Sequence, residues 1–170
     1  VVDWNQSVDL VIDFDTIHGA FEKQATLHHD QVAVVYDGES LTYQQLNQKS
    51  NQLASHIKVQ YQDKTGEEWQ PETLVPLLLD RSLEMIVAIL AVMKAGGAYV
   101  PIDPNYPQQR IDFVLEDTNA AMVLTQKVVL ENSAADATDE RFVTIDLLET
   151  FYDDYDHENL QGHQTSQSLA

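Results

Sequence analysis

The chain has 170 residues, 44% of them hydrophobic and 22% charged, with a formal net charge of -19 at pH 7. Such a length and composition predict one soluble domain with its own core, and the charge argues against nucleic acid or an anionic membrane surface as partner, since both need clustered Lys and Arg. There is no cysteine, which excludes disulfides, thiolate metal sites and a cysteine nucleophile and fits a reducing, cytoplasmic setting.

The N-terminus is acidic and has no basic region followed by an apolar core, so no secretory signal is expected. Residues 1–15 lack a helical period; Val11 to Asp15 reads as a short strand or an ordered linker. Thr16 is a good N-cap, and Ile17, Ala20, Phe21 and Gln24 follow at helical spacing. A β-branched strand at 32–36, the dipeptide Asp37-Gly38 and a return strand from Ser40 predict a small hairpin. Thr42 with Gln45 forms a capping box, and Leu41 with Leu46 a hydrophobic staple. Tyr43, Leu46, Ser50, Leu53 and Ile57 then mark one face of a helix over 43–58. Residues 59–72 are polar, carry Gly66 and Pro71, and read as a loop or frayed helix end.

From residue 74 the pattern changes. The stretch 74–79 is a fully apolar strand of the kind that a doubly covered parallel sheet needs, though Pro76 cannot donate to a ladder and must sit at the strand's start or face a gap. Residues 82–95 form the longest apolar run and predict a helix buried on nearly every side, too short to cross a bilayer. Lys94 suits its C-terminal dipole, and Gly96-Gly97 its left-handed stop. A strand at 98–102 follows, then a helix at 107–118 started by Pro107, with Ile111, Val114 and Leu115 inward. A strand at 121–125, a short helix at 127–132 and a strand at 142–146 complete the series. The order βαβαβαβ predicts an α/β fold with a mostly parallel, flavodoxin-like sheet, flanking helices and the small N-terminal hairpin. Between Glu131 and Glu158 ten acidic residues face Arg141 alone, and 151–170 reads as a solvated, partly mobile acidic and polar tail.

Four features invite a chemical reading. Gly96-Gly97 follows a helix and precedes a strand, the reverse of a phosphate cradle, so it reads as a cap. Leu10-Val11-Ile12 before Asp13-Phe14-Asp15 resembles the first motif of haloacid dehalogenase-type phosphatases. There Asp13 would attack phosphorus, Asp15 would serve as acid/base, Mg²⁺ would bridge them and Asp153-Asp154 would be the later metal pair. Ile17 stands where that motif usually has Thr or Val, and a linker ending at the Thr16 cap is the preferred reading. The histidines at 18, 28, 29, 56, 157 and 163 show no metal-ligand spacing, His28-His29 reading as a helix-end or solvent-facing pair. Asp153, Asp154, Asp156 and Glu158 lack the glycine and spacing of a calcium loop. No residue is therefore assigned a catalytic, cofactor-binding or metal-binding role.

Two stretches carry a resemblance. KAGGAYVPIDPNYPQQRI at 94–111 resembles the second core motif of amino-acid adenylation domains of nonribosomal peptide synthetases, and LTYQQLNQKSNQLA at 41–54 resembles their first. Leu124-Thr125-Gln126 is similar to the strand that follows in that family, and Trp4-Asn5 to the linker from an upstream condensation domain. The longer loop at 59–72, and Pro76 where the family usually has Gly or Ala, depart from the pattern. Leu169-Ala170 resembles the start of the third core motif, the Ser/Thr/Gly-rich loop that embraces the ATP phosphates.

The resemblance implies an interdomain linker at 1–15, adenylation-domain scaffold at 16–150, part of the large subdomain, and at 151–170 a tail leading to the phosphate loop. It implies a parent enzyme that activates an amino acid with ATP and Mg²⁺ as its aminoacyl adenylate and loads it on a carrier-protein phosphopantetheine. The partners implied are the rest of the adenylation domain, the upstream condensation domain and a downstream carrier domain. The phosphate loop, amino-acid pocket, ribose-binding Asp and catalytic Lys lie downstream in the family, so the chain alone is expected to be inactive, with no cofactor of its own. Self-association through an open sheet edge or apolar face is a further expectation. An aryl-acid or D-alanine ligase, the Mg²⁺-dependent phosphatase and a non-enzymatic acidic module that binds a basic partner are the alternatives.

Overall fold

The computed structural model describes residues 16–146 and 153–160. The linker reading at 1–15, the phosphatase motif at Asp13 and Asp15, and residues 161–170 lie outside the described residues.

α1 (Ile17–Leu27) starts where Thr16 Oγ1 accepts the Gly19 N–H. β1 (Val32–Tyr36) and β2 (Glu39–Thr42) form the hairpin, turning at Asp37 and Gly38, both with positive φ. α2 (Tyr43–Thr65) opens with the reciprocal capping box: Gln45 N–H donates to Thr42 Oγ1 and Thr42 N–H to Gln45 Oε1. It runs two turns past the expected end at 58, to a left-handed Gly66. Residues 59–65 are polar but contain no helix breaker, and Tyr61 packs its ring edge-on to Trp69, at 5.3 Å between centroids. The stretch expected as loop or frayed end is thus helix to Thr65.

The parallel sheet then forms from β3 (Leu74–Leu78), β4 (Ala98–Ile102), β5 (Val123–Thr125) and β6 (Phe142–Thr144), in the order β4-β3-β5-β6. α3 (Leu83–Ala95), α4 (Gln108–Asp117) and α5 (Lys127–Asn132) are the crossovers. Strand order and direction are those of a flavodoxin-like sheet, as expected. The strands are shorter than expected at their ends, and Pro107 is the N-cap of α4 and not its first helical residue.

Two cores sandwich this sheet. Val75, Leu77, Leu124, Val143 and Ile145 pack with α2 and α3 on one face. Leu78, Ile102 and Val123 pack with Ile111 and Leu115 of α4 and Val129 of α5 on the other. Pro76 lies in a central strand and is tolerated for a geometric reason. Thr73 C=O accepts from Ala98 N–H, so alternate residues 73, 75 and 77 face β4 and Pro76 faces the β5 side. Pairing with β5 begins only at Leu77, so the missing N–H falls beside a gap.

Three details of the central helix differ from expectation. Met85 and Ile89 are only half-buried and Ile86 is 36% exposed, so one flank of α3 is open. Only Gly96 is left-handed (φ 90°); Gly97 is needed for closeness, because a Cβ there would lie 2.8 Å from Trp69 Cζ2 and 2.9 Å from Thr73 O. Lys94 does not reach water at the helix end. It is buried at 4% exposure, ion-paired with Glu22 of α1 and donating to Asn47 Oδ1 at 2.9 Å.

Gly97→Ala is expected to cost about 1–3 kcal/mol by overpacking, read as a lower urea midpoint; an unchanged midpoint would show that Trp69 yields freely. Glu22→Ala should cost about 3 kcal/mol by stranding the buried ammonium, while Glu22→Leu with Lys94→Met should recover most of that loss. A single variant within about 0.5 kcal/mol of the parent chain would show the pair to be no more than a surface bridge.

Candidate functional site

In a doubly wound sheet the binding crevice lies outside the carboxyl ends of the strands, where the strand order reverses. Here that point is between β3 and β5. The loop after β3 (Leu79 to Ser82), the loop after β5 (Gln126) and the hairpin turn enclose a hollow of about 540 Å³. Beside it a second hollow of about 510 Å³ opens between the end of β4 and the open flank of α3, floored by Leu77, Met85, Ile89, Tyr99 and Pro101.

The chemistry of the first hollow is mostly acidic. Asp37, Glu39, Asp80 and Glu84 line it against Arg81. Asp80 Oδ1 accepts the Arg81 N–H at 2.7 Å, and Ser82 Oγ caps α3 by accepting Met85 N–H at 3.1 Å. At the rim of the second hollow Asp103 is held below the usual carboxylate range, chiefly by the Asn105 backbone N–H and then by its side-chain amide. Glu84 already faces the positive end of the α3 dipole. Such a lining does not fit a triphosphate with its Mg²⁺, which needs cationic groups and free N–H donors around the phosphates. Among the described residues there is no group of three or more His, Asp and Glu placed to hold a metal ion.

The residues singled out in the sequence are not brought together. Gly96 and Gly97 end α3 on the opposite side of the sheet from the hollows. His29 pairs with Asp30 in solvent, and His28 is the C-cap residue of α1. A hydroxyl and an imidazole do meet at Thr16 Oγ1 and His18 Nε2, 3.3 Å apart, but that hydroxyl caps α1 and lines neither hollow. Asp153 and Asp154 are exposed. The tail reading needs correction for 153–160: this stretch is exposed in large part, yet hydrogen-bonded along α2. Asn51 Nδ2 donates to His157 O at 2.8 Å and to Asn159 Oδ1 at 3.0 Å. His56 Nδ1 lies 3.3 Å from Tyr155 Oη, the two rings meeting edge to face. Sequence reasoning passed over Asn47, Asn51 and His56. The available signal was a set of polar residues on the same helix as an apolar stripe, with buried Asn51 two residues from Leu53.

With this geometry in place, the comparisons with known proteins are decisive. The AMP-binding enzyme family model matches residues 21–168. The chain belongs to the AMP-binding enzyme family. Its curated relatives are peptide synthetases. A linear gramicidin synthase of Brevibacillus parabrevis is 42% identical over 170 residues, all of this chain and 3% of that protein. A mycosubtilin synthase of Bacillus subtilis is 46% identical over 124 residues, 73% of this chain and 4% of that protein. The chain thus spans a few per cent of the length of these relatives. Among solved structures, the AMPPNP-bound form of the nonribosomal peptide synthetase FmoA3 (S1046A) superposes with a TM-score of 0.80 at 25% identity, over 98% of this chain and 17% of that one. The N-terminal subdomain of NpsA from Klebsiella oxytoca shares the fold, with a TM-score of 0.68 at 19% identity over 91% of this chain and 36% of that one. The AMP-binding chain is an N-terminal part of an adenylation domain of the nonribosomal peptide synthetase type.

Burial pushes the His56 and His18 imidazoles below their ordinary value, with Lys94 adding to the effect at His18 and Glu22 opposing it. A lowered base binds fewer protons folded than unfolded, so stability rises with pH across the window below about 6.5 and is lost on acidification. Urea midpoints should therefore fall between pH 7 and pH 5, and His56→Gln should flatten the slope. A slope unchanged in that variant would contradict the assignment to His56.

Proposed function

We propose that this chain is framework within an enzyme that activates an amino acid with ATP and Mg²⁺ as the aminoacyl adenylate, releases pyrophosphate and loads the product on a carrier-protein phosphopantetheine. The observation that supports this reading most is the family match over 21–168, laid on a flavodoxin-like sheet whose own carboxyl-end lining is acidic. The groups that handle the phosphates and select the amino acid are assigned to other parts of the parent protein, and no residue of 1–170 is given a catalytic, cofactor or metal role. Relatives 42–46% identical that are named peptide synthetases favour an amino acid over an aryl acid or D-alanine. The partners follow: the remainder of the adenylation domain, a condensation domain before it and a carrier domain after it. No helix among the described residues is long and apolar enough to cross a membrane, and a cytoplasmic setting is part of the proposal.

The face that meets the remainder of the domain is the open edge of β4 with the Met85 and Ile89 flank of α3. In the isolated chain a second copy takes that place, so the mass measured by light scattering should rise with concentration. A monodisperse monomer at high concentration would contradict this. ATP–pyrophosphate exchange is the direct test of function. The adenylation domain that contains this chain should catalyse exchange dependent on one amino acid, and the 170-residue chain should catalyse none. Exchange by the short chain, or hydrolysis of an aryl phosphate that disappears in Asp13→Asn, would overturn the reading.

A further inference from the structure

The polar face of α2 is built to hold a peptide. Asn47, Asn51, Gln52 and His56 are spaced by about one helical turn and lie along one side of the helix. Each reaches the stretch 155–159. Asn47 Nδ2 donates to Asn159 Oδ1 at 2.8 Å, Asn51 Nδ2 to His157 O and Asn159 Oδ1, Gln52 Nε2 to Tyr155 O at 3.4 Å, and His56 stacks edge-on with Tyr155. Leu160 then packs against the larger core. The stretch has no helix or strand of its own, so side chains of α2 supply partners that a ladder would otherwise give.

Asn51 makes the case sharper. It is fully buried, and its Oδ1 has no hydrogen-bond partner. A buried amide with an orphan oxygen is costly, and leucine would pack better beside Leu53 and Ala54. What the amide offers in return is its donor group, aimed at His157 O and Asn159 Oδ1. Asn47 extends the device in the other direction, since its Oδ1 accepts from buried Lys94, which pairs with Glu22. One hydrogen-bonded path thus runs from α1 through α3 and α2 to the stretch at 155–159, and it joins both motifs that carried the family resemblance.

We propose that Asn47 and Asn51 are positioning residues: they fix the course of 155–159, and so the place from which the chain sets out toward the phosphate-binding loop. This rests on the adenylation reading above. The tether and its consequence can be tested apart. In the 170-residue chain, Asn51→Leu keeps the packing and removes the donor, and Asn159→Ala removes the acceptor from an exposed site. Each should speed hydrogen exchange of 155–160 about tenfold, the equivalent of roughly one hydrogen bond, with 83–102 unchanged. Protection of 155–160 that survives both variants overturns the tether. In the adenylation domain that contains this chain, the same variants should raise KM for ATP about tenfold and leave KM for the amino acid within about twofold. A freed tether with an unchanged KM for ATP overturns the positioning role. Absence of exchange in the unmutated domain overturns the adenylation reading and the positioning role with it, while the hydrogen-exchange result still stands for the tether.

Discussion

Everything in this fold is arranged around the seating of α3 on β3. The chain leaves β3 at its carboxyl end, returns through α3 and re-enters the sheet as β4, all within the span from Leu74 to Ile102. That return is possible only where helix and strand come close, and Gly97 is the place: Trp69, Thr73 O and Val92 crowd it from three sides. With the unit closed, Val87, Ala88, Ala91 and Val92 meet α2 and the sheet, and the remaining strands add by right-handed crossovers. Few substitutions at that contact would leave the sheet in register.

The same seating explains the one charged group inside. Lys94 is at a position where α3 faces α1 and α2, so its ammonium is drawn from water and held by Glu22 and Asn47. Burial lowers its affinity for the proton and the Glu22 carboxylate opposes that, and the pair ties α1 to a core that it would otherwise only touch. Replacing such a pair with apolar residues need not cost stability, so its value lies in specifying how α1 docks.

Much of this was legible in the residues. The capping box at Thr42 and Gln45, the glycine stop at Gly96 and the alternation of apolar strands with helical runs each have a local physical cause, and each is found where the pattern put it. What escaped depends on contacts distant in sequence. The last two turns of α2 are polar and are held partly by Tyr61 on Trp69; Lys94 reads as a dipole partner until α1 is seen across from it; Asn51 looks like any helical asparagine until 155–159 lies on it. Pro76 could be reconciled with a central strand only once the ladder's offset was visible. The hollows at the carboxyl end of the sheet were illegible for the same reason, being made by the hairpin turn and two loops far apart in the chain.

A framework made of such parts has a definite electrostatic character. Its carboxyl-end lining carries four carboxylates to one guanidinium, within a chain of net charge -19. A polyanionic nucleotide gains nothing from such a surface. Titration calorimetry of the 170-residue chain with ATP and Mg²⁺ probes that claim without reference to any other domain. The account predicts dilution heats only, at every concentration reached; saturable binding by this chain alone would contradict it.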